Sequence, residues 1–494
     1  MTEGTAEPVP GTPTRTSRVL FFALVVALLG AIGSVLWLWW RVLGYPYPLD
    51  YGEGPLLSHA RQLADGRPVY LIPGAEPPWT IVNYPPVYPL ANAAVSVLAG
   101  PAYWYGRLIS MVGAVLSAVF AGLIVGRVTR DRSAALVTAL LMPVIPYLGA
   151  WAALARVDAL ALGLSLAGLW CVVRQPASTR WLIAAVVLLT AAAYTRQTYL
   201  LVAPFAAFCW LWPDGRRRAL GFAAALAGSV LVLGLALNLA TGGGFWFNVV
   251  TANVNAFDWT LLAAYLTDIG SHVPVLVLLL VAGGIVGTRC RQRSARLLIP
   301  YALGALVIVL TSGKEGSNVN YLLEFGTALC LASGFLLAAV RSSPRARTAV
   351  LVALLLQSLL LLVAPHGYYG YLGSLVDNRA VAARISAVVT ASGGPILADE
   401  DAGFLPINGD PIVLQTFEFR QLALAGVWDQ TPLLTSIENR TYPLIMIYTN
   451  GRSPSVLEQR WTPEMLTTIH ANYRQTEVID RGGRRKTLIY EPRR

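Results

Sequence analysis

The sequence predicts an all-α polytopic membrane domain of about eleven transmembrane helices, N-terminus inside and C-terminus outside, followed by a small extracytoplasmic α/β domain. Three observations lead there. Of 494 residues, 55% are hydrophobic and only 13% are charged, about half the charge of an ordinary soluble domain. The apolar residues come in runs, and the first, Val19 to Trp40, has 22 residues without a charge. At about 1.5 Å per residue that run spans roughly 33 Å, enough for a bilayer. Beyond about residue 366 the runs give way to short apolar segments that alternate with amphipathic ones.

Residues 1–18, with the Pro- and Thr-rich "EPVPGTPTRTS", are expected to be a disordered cytoplasmic tail, since such a composition builds no core. The first run ends in Trp37, Trp39 and Trp40, an interfacial belt on a retained anchor rather than a cleaved signal. An outer loop, 41–85, follows. Further apolar runs complete a membrane domain over 19–365, several with only about 15 residues, too few for a full span. Arginine clusters at 127–132, 216–218 and 289–296 separate pairs of runs and mark the inner side. That parity makes 108–126 a crossing and leaves 86–100 re-entrant or lying on the surface. The net charge of +11 is spent on this pattern, so nucleic acid is not an expected partner.

From 366 to 494 the segments 396–399, 412–415, 444–449 and 487–490 read as buried strands. "FEFRQLALAG" and "TPEMLTTIHANY" read as helices, the second capped by Thr462 with Pro463 in its first turn. No Gly-rich phosphate loop follows any of these strands. The four cysteines form no disulfide framework, and His59, His272, His366 and His470 show no metal-ligand spacing, so no zinc site is expected.

Acidic residues of the membrane domain gather on the outer side in this topology, which makes the outer face the place to seek chemistry. Asp50 and Glu53 stand soon after the first span, flanked by Gly52 and Gly54, which allow close approach by a ligand. The two carboxylates suit a general base on an acceptor hydroxyl, or ligands for a divalent cation, Mg or Mn. A solvated turn is the plain alternative. "YPPVYP", with Tyr84, Pro85, Pro86 and Tyr88, is expected to be a rigid interface loop or a functional clamp, and not a regular helix start. Arg107, Arg156 with Asp158, and Arg196 with Gln197 stand in otherwise apolar surroundings, where charges face a cavity or a partner. A local Arg156–Asp158 pair would account for two of them, and Arg suits phosphate oxygens. "TSGKEGSNVNYLLE" offers Lys314, Glu315, Asn318 and Asn320 as sugar and phosphate partners.

Taken in order, these pieces resemble the GT-C superfamily of polyprenyl-phosphate-sugar glycosyltransferases, in particular bacterial relatives of protein O-mannosyltransferases and of the lipid A aminoarabinose transferase. The resemblance rests on the acidic pair, the spacing Ala60, Leu63, Gly66, Tyr70, then "NYPPVYP", "GRLIS" and "ARVDAL". Members of the family carry adjacent Asp-Glu, whereas Asp50 and Glu53 are three apart, and Glu53 fits the family's Glu position. The resemblance implies a GT-C fold and an inverting transferase of a bacterial inner membrane. Its donor would be a polyprenyl-phosphate-linked sugar, and its acceptor a polysaccharide, lipid or protein hydroxyl on the extracytoplasmic face. Asp50 or Glu53 would be the base, with positive groups among Arg107, Arg156, Arg196 and Lys314 on the departing phosphate. A transporter or flippase of lipid-linked sugars is the competing reading, and should show internal repeats.

Overall fold

The computed structural model describes residues 14–451 and 456–494. Of the expected tail, 1–13 lie outside the described residues; the rest belongs to the first helix, Arg15–Leu43, which opens where the Thr14 hydroxyl accepts from the Ser17 N–H. Among the described residues six helices are long and apolar enough to cross a membrane, or seven if a bent pair counts as one span. Several other expected spans are present as shorter helices: Arg132–Val144, Asp158–Arg174 and Thr179–Ala193 have 13, 17 and 15 residues. The run at 197–212 is split between a 3-10 turn, Gln197–Leu200, and the helix Val202–Leu211. The bent pair, Trp259–His272 and Pro274–Arg289, turns by 87°. The helix Val319–Ala339 runs through the middle of the bundle, with 94% of its most apolar window buried.

One departure has a local cause. "YPPVYP" does begin a helix, Val87–Ala99, with Pro86 as its N-cap and Pro89 in its first turn. Proline is tolerated there because first-turn N–H groups have no intrahelical partner to lose. At 13 residues this helix is about 20 Å long, too short to span.

The C-terminal sheet has four strands: β1 (Ile396–Ala398), β2 (Leu444–Thr449), β3 (Tyr473–Asp480) and β4 (Lys486–Pro492). Their order is β1-β2-β4-β3, with β1 parallel to β2 and the other neighbours antiparallel. Thr462 caps the helix Pro463–Asn472 by accepting from the Met465 N–H. The segment 412–415 is no strand. It forms an isolated bridge, Leu414 with Trp79, in which the Trp79 N–H donates to the Val413 carbonyl at 2.8 Å. Trp79 and Ile81 of the outer loop are accordingly buried in one apolar core with Leu414, Phe419, Trp428, Ile445 and Met465. The division of the chain at 365/366 thus cuts through a shared core. What this packing builds is a roofed cavity: helices below, the outer loop at the side, and the sheet-bearing segment above.

Candidate active site

The cavity has a volume of about 710 Å³ and is lined by Asp50, Tyr84, Arg156, Arg196, Glu315 and Glu418 among others. Asp50 sits in the turn before the helix Glu53–Ala64. Its Oδ2 accepts from the Gly52 N–H at 3.0 Å and from Arg156 Nη1 at 3.1 Å. The two side chains are 19% and 13% exposed, so the pair is half-open to the cavity. Burial pushes the Asp50 carboxyl above its usual range; Arg156 opposes this, while Glu53 and Glu400 reinforce it. Arg156 also donates from Nη2 to the Tyr84 hydroxyl at 3.0 Å and lies over the Trp151 ring. Its Nε is buried without a partner.

Glu53 is differently placed. With Arg107 it forms a pair in which neither side chain is exposed. Oε1 accepts from Arg107 Nε at 2.9 Å and the Ala155 N–H at 2.7 Å; Oε2 accepts from Arg107 Nη2 and the Leu49 N–H, both at 2.8 Å. Arg107 gives its remaining hydrogens to the carbonyls of Val42, Tyr45 and Tyr47. Both groups are saturated and neither lines this cavity. This corrects two expectations: Glu53 has no oxygen available to an acceptor hydroxyl, and Arg107 has no N–H available to a phosphate. A Mg or Mn ion held jointly by Asp50 and Glu53 does not fit either, because Glu53 already receives four donors.

The intramembrane charges pair crosswise. Arg156 meets Asp50, and Asp158 meets Arg196, so the local Arg156–Asp158 pair does not form. Asp158 is fully buried, accepting also from Trp151 Nε1 at 2.6 Å and Asn320 Nδ2 at 3.1 Å. It therefore orients Arg196 and does not face the cavity. Arg196 does, over the Tyr321 ring. Gln197 donates to the Asn83 carbonyl at 3.1 Å, and Asn318 caps the turn at Val319; both line the cavity, as does Asn320. Glu315 lines it too, 3.6 Å from Arg420. Lys314 is exposed and stands off the lining. Of the interface loop only Tyr84 faces the cavity; Tyr88 is buried and donates to the Gly106 carbonyl at 2.8 Å, and Pro85 and Pro86 lead into the helix.

The flanking glycines serve protein contacts. A Cβ on Gly52 would lie 1.3 Å from Arg156 Nη1, and one on Gly54 would lie 2.6 Å from the Gly403 Cα.

Sequence reasoning missed three groups. His59 lines the cavity, buried, with Nε2 unpartnered; burial holds its imidazole down to about 4, hence neutral near pH 7. Glu418 accepts from the Tyr51 hydroxyl at 2.7 Å and from Asn83 Nδ2 at 3.1 Å, and burial raises its carboxyl. Arg460 lies over Tyr51, 4.1 Å from the ring centroid, and is paired with Glu400. All three belong to unremarkable amphipathic stretches. Away from the cavity, two of the four histidines set aside for lack of spacing, His272 and His366, meet at Asp268.

Comparison with known proteins bears on the family and the fold. A family model of dolichyl-phosphate-mannose-protein mannosyltransferases matches residues 83–240. The fold is similar to that of ArnT from Cupriavidus metallidurans. In its apo state the TM-score is 0.58 at 13% identity, covering 93% of this chain and 97% of that one. Bound to undecaprenyl phosphate, the same protein gives 0.60 at 14% identity with equal coverage. No curated protein sequence matches significantly. The resemblance to the GT-C superfamily is thus borne out.

Proposed function

We propose that this chain is a membrane-embedded inverting glycosyltransferase that moves a sugar from a polyprenyl-phosphate donor to an acceptor hydroxyl on the extracytoplasmic face. The observation that carries this reading is the half-open Asp50–Arg156 pair on the cavity wall, backed by the closed Glu53–Arg107 pair behind it. Support also comes from the mannosyltransferase family model and from the shared fold with a protein crystallised with undecaprenyl phosphate.

In the reaction, Asp50 takes the proton of the acceptor hydroxyl as its oxygen bonds to the anomeric carbon. The bond from that carbon to the phosphate oxygen breaks on the opposite face, and the electron pair leaves with the lipid phosphate. A base with its pKa raised toward the working pH is the better proton acceptor. Arg156 and Arg196 stabilise the departing phosphate, already positioned by Asp50, Tyr84 and Asp158, so little reorganisation is needed. Phe417, Glu418, Arg420 and Arg460 form the wall supplied by the sheet-bearing segment and face the acceptor. Carboxylates, amides and aromatic rings together suit a polyhydroxylated acceptor.

The test uses the full chain in nanodiscs, offered a panel of polyprenyl-phosphate hexoses and pentoses with extracted envelope acceptors. Turnover is expected with wild type and a loss of about 10²–10⁴-fold with Asp50→Asn. Undecaprenyl phosphate binding is expected to survive Asp50→Asn and to weaken in Arg196→Gln. Undiminished turnover in folded Asp50→Asn would show the base to be elsewhere.

A further inference from the structure

Outside the cavity, at the bend between the helices Trp259–His272 and Pro274–Arg289, one carboxylate and two imidazoles converge. Asp268 Oδ1 is 3.1 Å from His272 Nδ1 and 3.0 Å from His366 Nε2. One ligand atom from each of the three lies within 4.8 Å of the others. His366 arrives from the start of a different helix, Gly367–Asp377, and the two imidazole centroids are 4.5 Å apart. Asp268 Oδ2 and the Tyr147 hydroxyl are both buried and face one another, and neither has another hydrogen-bond partner.

We propose that Asp268, His272 and His366 form a binding site for a divalent cation of the zinc class, with the Tyr147 hydroxyl or a water as fourth ligand. Two imidazoles and one carboxylate are the donor set of zinc and its neighbours, whereas Mg and Ca prefer oxygen throughout. Bonds of about 2.0–2.1 Å place tetrahedral ligands roughly 3.3 Å apart, so the two Asp268–imidazole spacings need to open by only a few tenths of an ångström. His272 Nδ1, which also lies 3.1 Å from the Asp268 carbonyl and 3.3 Å from Ser271 Oγ, offers its lone pair to the cation. His366 Nδ1 accepts from the Tyr368 N–H at 3.1 Å; coordination through Nε2 moves the ring proton to Nδ1 and gives up that one hydrogen bond.

The cation would clamp two segments 94 or more residues apart. The clamped helix carries Asp258, Thr260, Leu261 and Ala264 on the cavity wall, so the site holds that wall in place without taking part in the chemistry.

The test uses the full chain purified without a polyhistidine tag. Elemental analysis is expected to find about one zinc per chain, and cobalt(II) added after chelation is expected to give a tetrahedral-type visible spectrum. His272→Gln and Asp268→Asn are each expected to weaken cobalt binding by about 100-fold or more. Wild type that retains no zinc and gives no cobalt spectrum overturns the proposal. So does wild-type-like binding by folded His272→Gln, which would place the metal elsewhere. If a variant fails to fold, the wild-type cobalt titration alone decides.

Discussion

Replacing Glu53 by Gln separates a supporting carboxylate from a reacting one. The substitution keeps the shape and removes the charge, leaving Arg107 with no carboxylate in a place where neither side chain is exposed. Each Glu53 oxygen accepts two N–H groups, at 2.7–2.9 Å. Whichever way the Gln amide turns, its NH₂ points at two donors. Breaking a buried pair by removing one partner costs about 3–5 kcal/mol, a large fraction of the roughly 5–15 kcal/mol that holds a domain folded. The melting temperature, followed by the fraction remaining monodisperse in detergent after heating, should fall by on the order of 5 °C or more. Asp50→Asn, at the half-open position, should melt close to wild type while losing turnover. The reasoning is refuted if Glu53→Gln melts like wild type yet transfers no sugar, because Glu53 would then act on substrate.

Two further outcomes follow from the same geometry. Gly52→Ala is compatible with the local backbone, where φ is −73°, but its Cβ collides with Arg156 Nη1; the guanidinium must leave Asp50 and Tyr84. Losing one charge-assisted hydrogen bond of about 1.5–3 kcal/mol corresponds to roughly 10- to 100-fold in turnover, read in the same transfer assay, and Arg156→Ala should show no further loss on top of it. The pH profile of transfer provides the other. As the proposed base Asp50 must be ionised, and its carboxyl is pushed up by burial, so activity should be lost as pH falls through a value above about 3.9, the ordinary aspartate figure. Because Arg156 opposes that rise, Arg156→Gln should move the acidic limb further up; a limb that moves down contradicts the assignment.

What could be read from the sequence was local. Thr462 capping the helix at Pro463 needs only its neighbours, and the first span only its own run. The choice between Asp50 and Glu53 was not legible, because it depends on Arg107 and the Ala155 N–H, 54 and 102 residues from Glu53. The crosswise pairing was hidden for the same reason: Arg156 and Asp158 are two residues apart in a run, yet each is claimed by a partner from another segment. β3 escaped notice because only Tyr473 and Ile479 of its eight residues are buried, an edge strand with no apolar run. The reverse error was 412–415, an apolar run covered by Trp79 and the shared core rather than by neighbouring strands. Glu418 and Arg420 carry no local mark of their place, because the cavity they line is completed by segments distant in sequence.

The seam between the outer loop and the sheet-bearing segment also sets an order of events during synthesis. Tyr51, Ile81 and Asn83 meet Glu418 and Gln415 across separations of 367, 334 and 335 residues. At about 5–20 residues per second, the loop waits roughly 20–70 s for its partner to be made. Through that interval the Trp79 indole and the Ile81 side chain have no finished core to enter. A nascent chain stalled before residue 415 therefore displays an unfinished outer surface, the form that membrane quality control would meet first.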